Sequence, residues 1–148
     1  KIIDWKKLCK KIIKNKSGLI QRHHPVQTNV YEECENCIKA KKDTFENINK
    51  MTLFLKSNNV PETIIIKENT TFGYNPNNNI ITNAFKDLWS YYILLKYTFR
   101  DQPLWTYIYW KHNLDAIIDE NIHSMFKNRD DLYFVYTGNY NNNRNYLA

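Results

Sequence analysis

The sequence predicts a mainly α-helical fold, with about four helices in an irregular bundle and room for a short two-stranded β-ribbon. Apolar residues recur at three- and four-residue steps along most of the chain, as they do on one face of a helix. The composition is 43% hydrophobic and 15% aromatic, which is far from that of a disordered chain. With 148 residues, the chain is long enough to form one domain with a buried core, and we predict a single helical domain over 1–148.

The first predicted element is a basic amphipathic helix over residues 1–16. Its apolar residues follow helical spacing, and lysines occupy the rest of the helical wheel. This segment carries a net charge of +6, whereas the acidic and basic residues of the remaining chain balance. The helix could pack on the core with its lysines in water, or it could meet a partner. On the second interpretation, the partner-binding residues are Lys6, Lys7, Lys10, Lys11 and Lys14.

A loop over 19–28 and a long helix from Asn29 to Ser57 are predicted next. The apolar face of this helix comprises Val30, Cys34, Cys37, Ile38, Phe45, Ile48, Met51, Phe54 and Leu55. The β-branched run 63–66 then predicts a short strand, because such residues favour extended backbone. A polar, asparagine-rich loop is predicted over 68–83.

Two further helices are predicted in the second half of the chain. The first runs from Phe85 to Phe99, and the second covers Tyr107 to Phe126 after a break at Asp101–Pro103. Three of the four tryptophans fall between positions 89 and 110, so this helical hairpin is predicted to form the centre of the core. The run 132–136 is a second candidate strand, able to pair with 64–66, and the tail 139–148 is predicted to be frayed.

The three cysteines are the main candidates for chemistry, and they cannot all pair within the chain. Cys34 and Cys37 are spaced as in a redox pair, although the neighbouring glutamates would raise a thiol pKa. The same pair could be buried without a chemical role, or it could bind metal. The metal hypothesis is a tetrahedral zinc site, which accepts thiolate and imidazole ligands. Its ligands would be Cys9, His23 or His24, Cys34 and Cys37.

Three short motifs carry a resemblance to a known family. They are Trp5-Lys-Lys-Leu-Cys9, Cys34-Glu-Asn-Cys37 and Trp110-Lys-His-Asn113. Together they resemble the motifs of the flavin-dependent sulfhydryl oxidases of the Erv type. The resemblance implies a small helical bundle that binds FAD, with Cys34 and Cys37 as the redox pair.

Several function classes have no sequence signature here. The chain contains no phosphate-binding loop, dinucleotide-binding glycine motif, Gly-x-Ser-x-Gly or zincin helix, and it has only 3 glycines. No apolar run approaches the roughly 18 residues that span a bilayer. The abundance of Lys, Asn, Ile and Tyr indicates an AT-rich genome, such as that of a parasite or a virus.

We therefore predict a non-enzymatic helical protein-interaction module that uses the basic N-terminal helix and exposed aromatic residues, which are common interface anchors. A protein partner is preferred, and residues 1–16 could also bind an anionic membrane or nucleic acid. The alternatives are a thiol or metal protein built on Cys34 and Cys37, as an Erv-like oxidase or a zinc site, and a nucleic-acid-binding protein that uses the lysine-rich arm.

Overall fold

A computed structural model describes residues 4–96 and 100–120, and within these ranges it confirms a mainly α-helical fold with a small sheet. The described chain contains five helices and three short strands. In chain order they are α1 (Trp5–Lys14), β1 (Leu19–Gln21), α2 (Val30–Lys39), α3 (Phe45–Ser57), β2 (Gly73–Tyr74), α4 (Asn79–Leu95), α5 (Asp101–Lys111) and β3 (Ile117–Ile118).

The sheet joins three distant parts of the chain, with β1 in its centre. β1 pairs with β2 antiparallel and with β3 parallel. Leu19, Ile20 and Gln21 are all buried, because α1 and the helical core enclose the central strand. An isolated bridge between His23 and Lys67 extends the pairing beyond the end of β1.

Helix α5 forms the centre of the core, and it contacts α2, α3 and α4. Every residue from Gln102 to Ile108 is buried. The Trp105 indole stacks on Phe85 of α4 with ring centroids 5.4 Å apart. The largest apolar side chains that are fully enclosed in the main core are Leu19, Ile48, Met51, Leu55, Ile66, Ile81, Leu104 and Ile108.

The predicted helix 29–57 is wrong as a single element, since the chain forms α2 and α3 with a turn at 40–44 between them. Lys41 has a left-handed backbone with φ of 51°. The Thr44 side chain accepts a hydrogen bond from Asn47 N at 3.2 Å and so caps the start of α3. A hydroxyl that satisfies a free amide stabilises a new helix start, and this local capping overrides the continuous apolar pattern.

The predicted strand 63–66 is also wrong, because this segment has no strand conformation. The strands lie instead at 19–21, 73–74 and 117–118. The first two of them fall inside the two segments that were predicted as loops. Such two- and three-residue strands are defined by pairing with distant chain segments. Their local sequence therefore carries little of the alternating pattern on which strand prediction depends.

The bounds of the last two helices differ from the prediction. Helix α4 begins at Asn79, inside the predicted loop, and ends at Leu95. Helix α5 ends at Lys111 rather than Phe126, and Asn113 then adopts a left-handed backbone with φ of 47°. The predicted strand 132–136 and tail 139–148 lie outside the described residues. Of the three tryptophans assigned to the core, Trp105 is buried but Trp89 is 66% exposed.

Within the ranges that the structure describes, no helix has the length and apolar character that a membrane span requires.

Candidate binding surface

Helix α1 contacts the rest of the protein through only part of its apolar face. Ile12 is buried together with Ile20 of β1, and Leu8 and Ile117 pack against this pair. Ile12 is the single buried residue of α1. The helix therefore lies on the surface of the molecule, with Leu8 and Ile12 packed against the sheet.

Three other apolar residues of α1 are exposed. Trp5, Cys9 and Ile13 follow one another at four-residue steps and so line up along one side of the helix. Trp5 is 49% exposed, Ile13 is 63% exposed and Cys9 is an exposed free thiol. We call these three residues the α1 stripe.

The predicted partner-binding lysines all lie on α1, and all are exposed. Lys6, Lys10 and Lys14 are each one position after a residue of the α1 stripe, so they form a parallel row beside it. Lys7 and Lys11 lie further around the helix and are also exposed. None of the ion pairs between described residues includes any of these five lysines.

The orientation of α1 is fixed by the turn that follows it. The Asn15 side chain accepts hydrogen bonds from Ser17 N at 3.0 Å and from Leu19 N at 3.2 Å. Gly18 has φ of 62°, and a Cβ atom at this position would lie 2.8 Å from Asn78 Cβ. The Asn78 amide in turn donates to Lys16 O at 3.0 Å. This turn ties the end of α1 to β1 and to the start of α4.

The cysteine pair of α2 lies in the core. Cys34 and Cys37 are buried, and the Cys37 thiol donates a hydrogen bond to Glu33 Oε1 at 3.3 Å. Burial is the main cause that raises the pKa of Cys34 to about 11 and that of Cys37 to about 12, and the nearby Glu33 charge raises both further. Both groups therefore remain protonated thiols near neutral pH, and it is the thiolate that acts as nucleophile or metal ligand.

The predicted zinc ligands are not brought together within the described part of the chain. Among these residues, no group of three or more His, Cys, Asp or Glu side chains could hold a metal ion. Cys9 is exposed on α1, whereas Cys34 and Cys37 are buried on α2. His23 Nδ1 lies 3.1 Å from Glu120 Oε1, and His24 Nδ1 accepts a hydrogen bond from Gln27 N at 2.9 Å.

The third motif of the Erv-type resemblance lies at the end of α5. His112 Nε2 is 2.9 Å from Asp87 Oδ2 of α4, and Lys111 Nζ is 2.7 Å from the same oxygen. The hydrogen bonds from Lys111 and then from His112 hold the pKa of Asp87 below its usual range. These contacts give His112 and Lys111 a part in joining α4 to α5.

Sequence reasoning missed a buried ion-pair network between the sheet and the segment after Ile66. Arg22 Nε lies 3.0 Å from Glu68 Oε2, and both side chains are almost fully buried. Arg22 also pairs with Glu120 at 3.3 Å. The Gln102 amide donates to Lys67 O at 2.7 Å and so links this network to α5. No local sequence signal relates residues that lie so far apart in the chain.

A second exposed apolar surface lies on α4. Trp89, Ile93 and Leu94 are 66%, 51% and 77% exposed. Trp89 and Tyr92 stack with their ring planes 9° apart and their centroids 6.5 Å apart. This surface contains exposed aromatic groups of the kind predicted from the sequence, and it differs from α1 because α4 has no row of lysines.

Comparison of the chain with protein-family models, with curated proteins and with solved structures finds no match.

Proposed function

We propose that this protein is a non-enzymatic interaction module that binds a negatively charged partner through α1. One observation carries the proposal: α1 packs on the core through Leu8 and Ile12, while the residues of the α1 stripe and the row of lysines beside it are exposed. The lysines of α1 are therefore presented to the surroundings in a fixed orientation.

The distribution of charge supports an anionic partner. The segment 1–16 accounts for the whole net charge of +6. A concentrated positive charge attracts anions over roughly the Debye length, about 8–10 Å at physiological ionic strength. The side chains of Lys6, Lys10 and Lys14 have no ion-pair partner among the described residues, so they can reach an external anion without breaking an internal contact.

The alternative built on Cys34 and Cys37 has less support from the contacts of α2. Both thiols are buried, and their pKa values are raised to about 11 and about 12. A redox or metal role needs thiolates that are accessible. The buried thiols would have to become exposed before they could act, whereas the row of lysines on α1 is already exposed.

The test compares two variants of the full chain that lose the same charge at different places. Lys6→Gln/Lys10→Gln/Lys14→Gln neutralises the row on α1. Lys39→Gln/Lys50→Gln/Lys86→Gln removes three exposed lysines from α2, α3 and α4. Binding to heparin, a generic polyanion, is measured by fluorescence titration over a range of salt concentrations.

We expect the α1 variant to lower the slope of log affinity against log salt concentration by about 3, because each lost anion contact removes about one unit. The control variant should leave most of that slope intact. Equal losses in the two variants would show that heparin responds to total charge alone, and the proposed role of α1 would then be wrong.

A further inference from the structure

We infer that the anionic partner of α1 is the surface of a lipid bilayer that contains acidic phospholipids. This inference rests on the proposed function and adds the chemistry of the partner. It follows from two features of α1 considered together, namely the α1 stripe and the row of lysines beside it.

The first argument is the shape of the accessible surface. Leu8 and Ile12 hold one edge of α1 against Ile20 and Ile117, so the body of the protein lies along that edge. A protein groove that receives an amphipathic helix encloses its apolar face from both sides. The body of this protein occupies one of those sides. A flat surface can contact the exposed side of α1 without displacing Leu8 or Ile12.

The second argument is the chemistry of the α1 stripe. Tryptophan favours the interface between lipid and water, because its ring is mostly apolar and carries one polar N–H group. Ile13 and the thiol of Cys9 extend the apolar line beyond Trp5. The outer acyl region of a bilayer can bury these groups, as it does for helices that lie in the membrane plane.

The third argument is the position of the charges. Lys6, Lys10 and Lys14 follow the stripe along its whole length. Lysine side chains extend their ammonium groups toward the headgroups while their methylene stems cover apolar surface. A row of lysines beside a buried apolar stripe therefore places positive charge at the depth of the lipid phosphates.

The same features disfavour nucleic acid as the partner. Phosphate contacts would use the lysines, but they would leave the exposed parts of Trp5 and Ile13 in water. Arginine, which reads base edges through paired hydrogen bonds, is absent from α1. A bilayer uses both the apolar and the charged part of the exposed surface.

The experiment measures binding of the full chain to vesicles of phosphatidylcholine with and without phosphatidylserine, by co-sedimentation. We expect binding only when phosphatidylserine is present. The variant Lys6→Gln/Lys10→Gln/Lys14→Gln should weaken it about 100-fold, since each lysine near an acidic surface contributes about fivefold. Lys39→Gln/Lys50→Gln/Lys86→Gln serves as the charge-matched control and should bind almost as the wild type does.

A second pair of variants isolates the apolar contribution. Trp5→Ser/Ile13→Ser keeps every lysine and should lower vesicle binding about tenfold or more, while affinity for heparin stays unchanged. Phe45→Ser/Leu53→Ser removes one aromatic and one aliphatic residue that are exposed on α3, and it should leave both kinds of binding unchanged. If Trp5→Ser/Ile13→Ser binds vesicles as tightly as the wild type does, the proposal that the α1 stripe inserts into the bilayer is wrong.

Cys9 provides a direct measure of insertion. It is the exposed cysteine, whereas Cys34 and Cys37 are buried, so a water-soluble maleimide should modify Cys9 selectively in the folded protein. Vesicles with phosphatidylserine should slow this modification, because the bilayer covers the α1 stripe. Heparin should leave the rate unchanged, since it contacts the lysines and not the thiol.

The outcomes separate the inference from the proposed function. Binding to heparin without binding to phosphatidylserine vesicles overturns the lipid inference and leaves α1 as an anion-binding surface. Tighter binding to duplex DNA than to vesicles at equal salt assigns nucleic acid as the partner and also overturns the inference. Failure to bind heparin, DNA and acidic vesicles contradicts both.

Discussion

Helices α5 and α1 have similar lengths but opposite positions in the molecule. Every residue of α5 from Gln102 to Ile108 is buried, whereas α1 has Ile12 as its single buried residue. Yet α1 has the clear division into apolar and charged sides, and α5 has almost none. A helix surrounded by other elements needs no polar side, so the strength of an amphipathic pattern reports a surface position rather than a contribution to the core.

The two helices also treat polar groups differently. Buried polar side chains of α5 have specific partners: Gln102 donates to Lys67 O, and the Trp105 indole N–H donates to Gln21 Oε1 at 3.2 Å. The lysines of α1 remain in solvent. An unsatisfied buried polar group destabilises the fold, so the polar side chains of α5 require particular neighbours, whereas the exposed lysines of α1 do not.

The largest contrast is expected in thiol reactivity between α1 and α2. An aromatic disulfide reagent should modify Cys9 rapidly in the folded protein and should reach Cys34 and Cys37 only after unfolding. With its pKa raised to about 11, the Cys34 thiol is ionised about 100-fold less near neutral pH than a thiol of pKa 9.0. Stopped-flow absorbance counts the fast thiols. Two or three fast thiols in the native protein would contradict the burial of the α2 pair.

Loss of the buried ion pair should destabilise the protein next most strongly. Glu68→Gln removes the charge opposite Arg22, and both of these side chains are almost fully buried. We expect the free energy of unfolding in urea to fall by about 3 kcal/mol, at the lower end of the loss that follows removal of one partner of a buried pair, because Arg22 keeps its contact with Glu120. The control Glu46→Gln breaks the exposed Glu46–Lys50 pair and should cost less than about 0.5 kcal/mol. If the free energy of unfolding falls by similar amounts in the two variants, the buried network contributes little to stability.

A matched pair of isoleucine truncations tests the comparison of α5 with α1 itself. Ile108 of α5 is fully buried, and Ile13 of α1 is 63% exposed. Ile108→Ala should lower the free energy of unfolding by about 2–5 kcal/mol, because it removes buried apolar contacts and leaves a cavity. Ile13→Ala should change it by less than about 0.5 kcal/mol. A large loss at Ile13 would mean that the α1 stripe packs against the protein.

The sequence was sufficient to predict α1, the mainly helical class and the exposed row of lysines. The signal for α1 is local, since its apolar and charged positions alternate over a few turns. The sequence placed α5 in the core only as part of a predicted hairpin, and it placed the end of this helix at Phe126 rather than Lys111. Its end depends on the left-handed Asn113 and on the hydrogen bond from Leu114 N to Tyr109 O, which are features of the folded chain.

The candidate binding surface on α1 was predictable only in part, because it also depends on contacts between distant parts of the chain. Helical spacing placed Trp5, Cys9, Ile12 and Ile13 on one broad apolar face. Spacing alone cannot indicate which of these residues contact the core. That division depends on β1 and β3, which bring Ile20 and Ile117 together from distant parts of the chain. The strands themselves are too short to leave a pattern, so the exposed stripe could be recognised only from the fold.

The smallest predicted effect concerns the polar contact between α4 and α5. Hydrogen bonds from Lys111 and then from His112 lower the pKa of Asp87 from its ordinary value of 3.8. A carboxyl group with a lowered pKa in the folded state stabilises the protein above its unfolded pKa, and this contribution is lost as the pH falls through the folded value. The Asp87 side chain is 37% exposed, so we expect a contribution below about 1 kcal/mol after screening by solvent.

Urea unfolding of the wild type and Asp87→Asn over a range of pH values measures this contribution. The difference in unfolding free energy should be constant near neutral pH and should shrink on acidification below about pH 3.8. The pKa of Lys111 is raised by its hydrogen bond to Asp87, so Lys111 stays positively charged in that acidic range and loss of the Asp87 charge accounts for the change. A difference that persists unchanged through acidification would show that the substitution acts through packing between α4 and α5. For Lys10→Gln, the difference in unfolding free energy from the wild type should not change on acidification. Lys10 is exposed and makes no ion pair with a described carboxylate.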